Sequence, residues 1–299
     1  MLAWLVVALT TFGPSGLAAT LPPPPVATFS DVDGDVTVYR GAKREEIDGE
    51  EDVDLFEGDE IRTVAGATAT ISFLDHHLVR LGERTTLVIR TIKSNPATGS
   101  FLGRVSLAAG RLFASFGKLT VPGSGFSVQT GGAVAAVRGT TFAIEADETT
   151  STVAVSDGTV STSALDAAGQ ESGAVDVPAG QETNVDHRSR ALDRPAAIAA
   201  RHAWVHEHLA AIHGAAERHR AMRASGELGT LRQLRRRARA GILDPQAPEA
   251  RVFLAAHPEF AERLARHAAR HKRIREHRGA RQERREERHE ERREKRARR

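Results

Sequence analysis

The chain has 299 residues and a formal net charge of +3 that hides a division: residues 1–185 hold 12 Lys and Arg against 23 Asp and Glu, whereas residues 186–299 hold 30 against 16. Asymmetry of this size separates an acidic module from a basic one and points the basic one at an anionic partner. There is no cysteine, which excludes disulfides, a lipid-modified cysteine anchor, thiolate catalysis and thiolate metal or iron–sulfur sites.

Residues 1–9 are almost wholly apolar; Gly13-Pro14 and the small residues Ala18-Ala19 follow. That is the apolar core and cleavage site of a secretory signal peptide over 1–19, although no Lys or Arg precedes the core. The stretch is short of the ~20 residues that span a bilayer, so an uncleaved anchor is the weaker reading. A buried N-terminal helix is the other alternative. No later stretch is apolar enough to cross a membrane. Residues 20–32, with Pro22-Pro23-Pro24-Pro25, read as a stiff, extended spacer.

From residue 33 to 185 the chain reads as β. Val36, Val38 and Tyr39 begin a strand, and the segments 68–74, 87–92 and 152–156 alternate apolar with polar or small residues. Turn formers separate them, including Asp33-Gly34, Glu57-Gly58-Asp59, Ala109-Gly110, Asp157-Gly158 and Ala179-Gly180. Strands at this spacing with no helix between them predict antiparallel twisted sheets, packed as a sandwich or coiled into a solenoid-like roll. The acidic run Glu45, Glu46, Asp48, Glu50, Glu51, Asp52 and Asp54 reads as an exposed loop.

After Val185 the period changes to that of helices, and residues 186–277 are expected to be helical. Asp193 and Pro195 suit a helix start, followed by the stripe Ile198, Val205, Leu209, Ile212 and Ala216 and a stop at Ser225-Gly226. A second helix is predicted from Glu227 to Ala240, with Leu228, Leu231 and Leu234 in register and Gly241 as its stop. Residues 242–248 read as a loop, and Pro258 opens a third helix carrying Phe260, Leu264 and Ile274. The tail, 278–299, is almost all Arg and Glu. Its i,i+4 pairs mostly match like with like, as in Arg284 with Arg288 and Glu286 with Glu290, so it is expected to be partly disordered.

The ordered motifs of the β section resemble the FecR family of bacterial envelope proteins. They comprise Gly34-Asp35-Val36-x-Val38, Glu57-Gly58-Asp59-x-Ile61-Arg62-Thr63, Ala67-Thr68-Ala69-x-Ile71-x-Phe73-x-Asp75, Val79-x-Leu81-Gly82 and Leu87-x-Ile89. The most specific piece is Phe126-x-Val128-x-Thr130, then Ala135-x-Val137-Arg138-Gly139-Thr140-x-Phe142; Val153-x-Val155-x-x-Gly158-x-Val160 and Val177-x-Ala179-Gly180-Gln181 follow. Asp75-His76-His77 stands where the family usually has Asp-Gly-Ser, and Thr130-Gly131-Gly132 where it often has Thr-Pro. The iron-signalling members also carry a cytoplasmic anti-sigma segment, one membrane helix and a receptor-docking subdomain. None of these parts is visible in this sequence, so the expectation is a stand-alone exported form. The resemblance implies a domain for envelope signalling and protein contacts.

Several constellations invite chemistry. Gly139 suits a φ that side chains forbid or the close approach of another backbone, while Arg138 offers a fork of donors to a carboxylate or to carbonyls. Eleven of the 13 histidines follow residue 186, and His202 with His206, like His267 with His271, are spaced one helical turn apart. A metal site would need a third ligand, and solvated helix faces are the plainer reading. His76-His77 falls in a hairpin turn or at a strand edge. No nucleophile elbow, phosphate-cradling glycine loop or zinc signature appears. No catalytic, cofactor-binding or metal-binding residue is therefore assigned; no cofactor is expected, and the protein is read as a non-enzyme. The basic section is poor in aromatics for base stacking (Trp204, Phe253, Phe260) and an exported protein rarely meets nucleic acid, so no nucleic-acid partner is expected. The expected function is a protein-interaction or sensing module in the periplasm or otherwise exported, meeting an envelope protein or an anionic polymer or lipid, with coiled-coil self-association through the helical region. The alternative is a structural or adhesive envelope component tethered to an anionic surface by its basic C-terminal region.

Overall fold

The computed structural model describes residues 23–73, 77–95, 97–199, 221–222, 224–258 and 260–261, with single positions at 202, 205, 208, 212, 217, 265 and 269. The expected signal peptide, Leu209 and Ala216 of the helical stripe, His76, His206, His267, His271 and the charged tail lie outside the described residues.

The protein is mainly β. The chain enters with β1 (Ala27–Asp33), in which Ala27, Phe29 and Val32 are buried. Most of β1 falls in the stretch read above as a spacer. The proline run ends at Pro25, so the backbone donors needed for a ladder return, and a bulge between Phe29 and Asp31 masks the alternation. Seven strands follow in the first half: β2 (Val36–Arg40), β3 (Glu45–Asp48), β4 (Asp54–Leu55), β5 (Glu60–Thr63), β6 (Thr68–Phe73), β7 (Leu78–Leu81) and β8 (Thr86–Asn95). The acidic run is therefore not all loop. Glu45–Asp48 is an edge strand that sets Arg40 opposite Glu45, and Glu51 is buried.

The sixteen-residue β9 (Ser100–Ser115) joins the halves. Beyond it lie β10 (Gly125–Gln129), β11 (Ala133–Val137), β12 (Thr141–Ala146), β13 (Thr150–Asp157), β14 (Thr159–Leu165), β15 (Glu171–Pro178), β16 (Gln181–Asp186) and β17 (Ala196–Ala197). The strands form two facing sheets. The first runs β4-β1-β6-β7-β9-β12-β13-β16-β17. The second runs β3-β2-β5-β8-β9-β10-β11-β14-β15. All pairings are antiparallel except β9 with β10.

The two sheets face each other, and one apolar cluster, from Phe29 and Ile71 of the first sheet to Ile61 and Val128 of the second, fills the space between them. β9 belongs to both sheets: Leu102–Ser106 lie between β8 and β10, and Leu112–Ser115 between β7 and β12. The strand turns at Gly110, whose φ is +97° and where a Cβ would lie 2.5 Å from the Thr85 Cα. Thr85 Oγ1 pins the corner, accepting the Arg111 amide at 3.0 Å.

The helix predicted from Asp193 does not begin there. Ala196–Ala197 instead extends the first sheet as β17, the Asp193 amide bonds the Asn184 carbonyl at 2.9 Å, and the first helical position described is His202. Ladder bonds along β16 outcompete the weak N-cap signal. The apolar stripe does what its spacing requires: Val205 and Ile212 are helical and buried, and with Ile198 they cover Leu78, Phe113, Ala143 and Ala154 on the outer face of the first sheet.

Further on, α1 (Glu227–Ala240) occupies the residues read as a helix, ending before Gly241 at φ +72°. The next helix, α2 (Pro248–Ala256), opens ten residues before Pro258 because Pro248 sits in its first turn. Pro258 and Phe260 are helical as well. Met222, Leu231, Leu234, Ala250, Phe253 and Phe260 form a core separate from that of the sandwich.

Candidate functional site

Residues two apart on a strand share a face, and cross-strand partners line up in rows. On the outer face of the first sheet one such row is Phe113–Ala143–Ala154–Glu182. It is roofed by Val205 and Ile212. At its end the buried Glu182 carboxylate meets His202 Nδ1 at 2.7 Å, and near its start the His208 ring stacks on Phe113 with centroids 4.9 Å apart.

The adjacent row, Arg111–Glu145–Thr152–Asn184, is not roofed by these apolar contacts. Arg111 Nε donates to Glu145 Oε1 at 2.8 Å, and Thr152 Oγ1 donates to Asn184 Oδ1 at 2.6 Å. Glu145, Thr152 and Asn184 floor a groove of 460 Å³ whose walls are Asp147, Thr150, Asp186, Asp193 and His202.

Two wall carboxylates are held ionised by donors of their own turns. The Thr149 hydroxyl (2.7 Å) and amide (2.7 Å), with the Thr150 amide (2.8 Å), keep Asp147 below the ordinary 3.8. The Ser189 amide and hydroxyl, with the Arg188 amide, lower Asp186 in the same way. These two carboxylates thus keep their charge to lower pH than free aspartates do. A folded value below the unfolded one stabilises the protein above the unfolded value, and that gain is lost as pH falls through the folded one. Asp147→Ala is accordingly expected to lower the urea midpoint at about pH 6, with the gap to wild type narrowing as pH falls below the ordinary aspartate range. A gap that persists unchanged in strong acid would show that ionisation of Asp147 is not what holds the turn.

The residues singled out by sequence scatter. Gly139 has φ +112°, and a Cβ on it would sit 2.6 Å from the Lys118 Cα, so both properties expected of it coexist. Arg138 is exposed and bonds no described carboxylate; its carbonyl accepts the Leu119 amide. His77 does lie in the β6–β7 hairpin, but its ring is buried between Phe101 and Phe116, 4.7 Å from each. His202 is committed to Glu182. Among the described residues no group of three or more His, Asp or Glu is placed to hold a metal.

A serine–histidine pair that the sequence concealed appears at Ser151 and His187, 2.7 Å apart. It is not arranged as nucleophile and base. Ser151 is wholly buried and gives its only proton to Thr130 Oγ1 at 2.7 Å, so His187 Nε2 must be the donor to Ser151. A base in that tautomer has no lone pair for the serine proton. The His187 ring lies against Gly131 and Gly132, in space that side chains there would fill.

The groove itself was missed. Glu145, Thr152 and Asn184 sit on three strands and become neighbours only through register; their one signal was a polar residue at an outward position of each strand.

Residues 59–161 match the family model described as FecR protein. That stretch is similar to the FecR family. The matched stretch runs from β5 into β14 and includes β9, the Arg138-Gly139 turn and the groove floor on β12 and β13. No curated protein matches the chain. Two crystal structures of a putative anti-sigma factor from Parabacteroides distasonis ATCC 8503, at 1.65 and 2.50 Å, are similar with a TM-score of 0.38 and 17% identity. The similarity covers 46% of this chain and 59% of that one, so the chain spans less than two thirds of that structure's length. No described helix is long and apolar enough to cross a membrane.

Proposed function

We propose that this protein is a non-enzymatic, FecR-domain sensing or protein-contact module of the bacterial envelope, exported to the periplasm. The observation that carries the reading is the family match over residues 59–161, which span the strands joining the two halves of the sandwich. The groove beside His202 is the contact surface: it is concave, floored by polar side chains with fixed bonds, and flanked by Asp147 and Asp186, whose charge persists. It suits a partner segment bearing basic side chains.

The test is affinity capture from envelope extracts with the full chain and with Thr152→Arg, which fills the groove floor with a long cation. Wild type is expected to recover a defined protein partner and the variant to lose it at unchanged thermal midpoint. Deletion of the gene is expected to alter envelope-stress transcription. Capture of nothing, together with unaltered transcription, would end this reading.

A further inference from the structure

Each sheet ends in two edge strands, and three of the four are short: β4 and β17 have two residues each and β3 has four, of which three are acidic. β15 differs. Its eight residues, Glu171–Pro178, end the second sheet and pair with β14 alone among the described residues. The N–H and C=O groups along the other side of the strand therefore have no ladder there. Residues 171–174 and Asp176 are exposed.

Register gives this edge two faces. Asp176 lies opposite Ser161, Ala174 opposite Ser163 and Glu171 opposite Leu165. Those partners alternate along β14, so Glu171, Ala174 and Asp176 share one face of the sheet. Neither carboxylate has an ion-pair partner among the described residues, and the strand holds no Lys or Arg. The other face carries Val175 and Val177. Val177 is buried in the core, whereas Val175 packs against it half-buried and keeps apolar surface for a neighbour.

The bulge where Gly173 takes φ +54° and the proline at the strand's end are devices that keep an edge from pairing indiscriminately. They do not close it. A second copy is disfavoured: antiparallel pairing about the strand centre sets Glu171 against Asp176, and parallel pairing sets each carboxylate against its own counterpart. A segment of opposite charge meets neither obstacle. We infer that β15 is a β-augmentation site for an extended segment with basic side chains on one face and apolar ones on the other. That segment continues the second sheet through main-chain bonds, with its cations on Glu171 and Asp176 and an aliphatic side chain against Val175. The inference does not rest on the groove.

The experiment is fluorescence anisotropy with the purified full chain and a labelled peptide of alternating lysine and valine. This probe is expected to bind, and the same peptide with glutamate for lysine to bind roughly tenfold more weakly. Glu171→Lys with Asp176→Lys, both at exposed sites, is expected to reverse that preference at an unchanged thermal midpoint. An added strand uses the amides of one of its edges only. N-methylation of one alternate set of peptide amides is therefore expected to abolish binding, and methylation of the other set to be tolerated. Thr152→Arg, in the groove, is expected to bind the probe as wild type does. Absence of binding to the lysine peptide overturns the proposal, as does binding unaltered by the double charge reversal. Binding of both N-methylated peptides overturns it in favour of charge alone, and loss of binding in Thr152→Arg overturns it by placing the peptide in the groove.

Discussion

Gly139→Val is expected to lower stability by about 3 kcal/mol or more, because two penalties coincide at one position. A β-branched residue at φ +112° is far outside its allowed region, which costs about 1–3 kcal/mol. The new side chain would also meet the Lys118 backbone at 2.6 Å and the Gly117 carbonyl at 3.1 Å, and backbone cannot rotate away as a side-chain tip can. At roughly 2–4 °C per kcal/mol for a domain of this size, the melting midpoint is expected to fall by roughly 6–12 °C. Gly169→Ala is the control. Its φ is +75° but nothing lies within 4 Å of the added carbon, so about 1 kcal/mol of conformational strain is the whole effect. Should both variants melt together, close approach at Gly139 would carry no weight.

Phe126→Ala is expected to cost about 3–5 kcal/mol in urea unfolding. The Phe126 ring lies 4.3 Å from Phe116 and 5.9 Å from Phe73, centroid to centroid, and rests on Gly103 of β9, where a Cβ would be 2.5 Å from its edge. Phe116 in turn stacks on His77. Truncation therefore leaves a void bordered by rings that are fixed by one another. Phe126→Leu should recover most of the loss. A cost for the alanine variant near 1 kcal/mol would mean that the cluster collapses into the space.

Strands were legible wherever apolar residues alternated with polar or small ones, as in Thr68–Phe73 and Thr150–Asp157. The Gly139 reading came from its place between strand residues. The failures have physical causes. The bulge in β1 shifts its period, β3 is an acidic edge strand with little to bury, and two-residue β17 is defined by its partner and not by its own sequence. Which strands share a sheet was not legible because β9 changes sheets at Gly110, and no local pattern records which neighbours a strand meets on either side of a corner. The groove was illegible for the same reason, since Glu145, Thr152 and Asn184 are brought together by register alone. His187 explains the Gly131-Gly132 departure from Thr-Pro, yet 55 residues separate Gly132 from the ring that needs its space.

The corner at Gly110 also bears on the order in which a chain delivered amino-terminus first can assemble. β1 to β7 find their first partners among themselves, β4 and β6 on β1 and β3 and β5 on β2, before β9 is available. β9 then completes both nascent sheets at once and offers one free edge on each, which β10 and β12 take up. The carboxyl-terminal half thus inherits its templates from a single strand. A ribosome that pauses before Ser100 would hold back half of the fold with two exposed edges, on β7 and β8, and the stretch Ser100–Ser115 decides whether those edges are covered or left to aggregate.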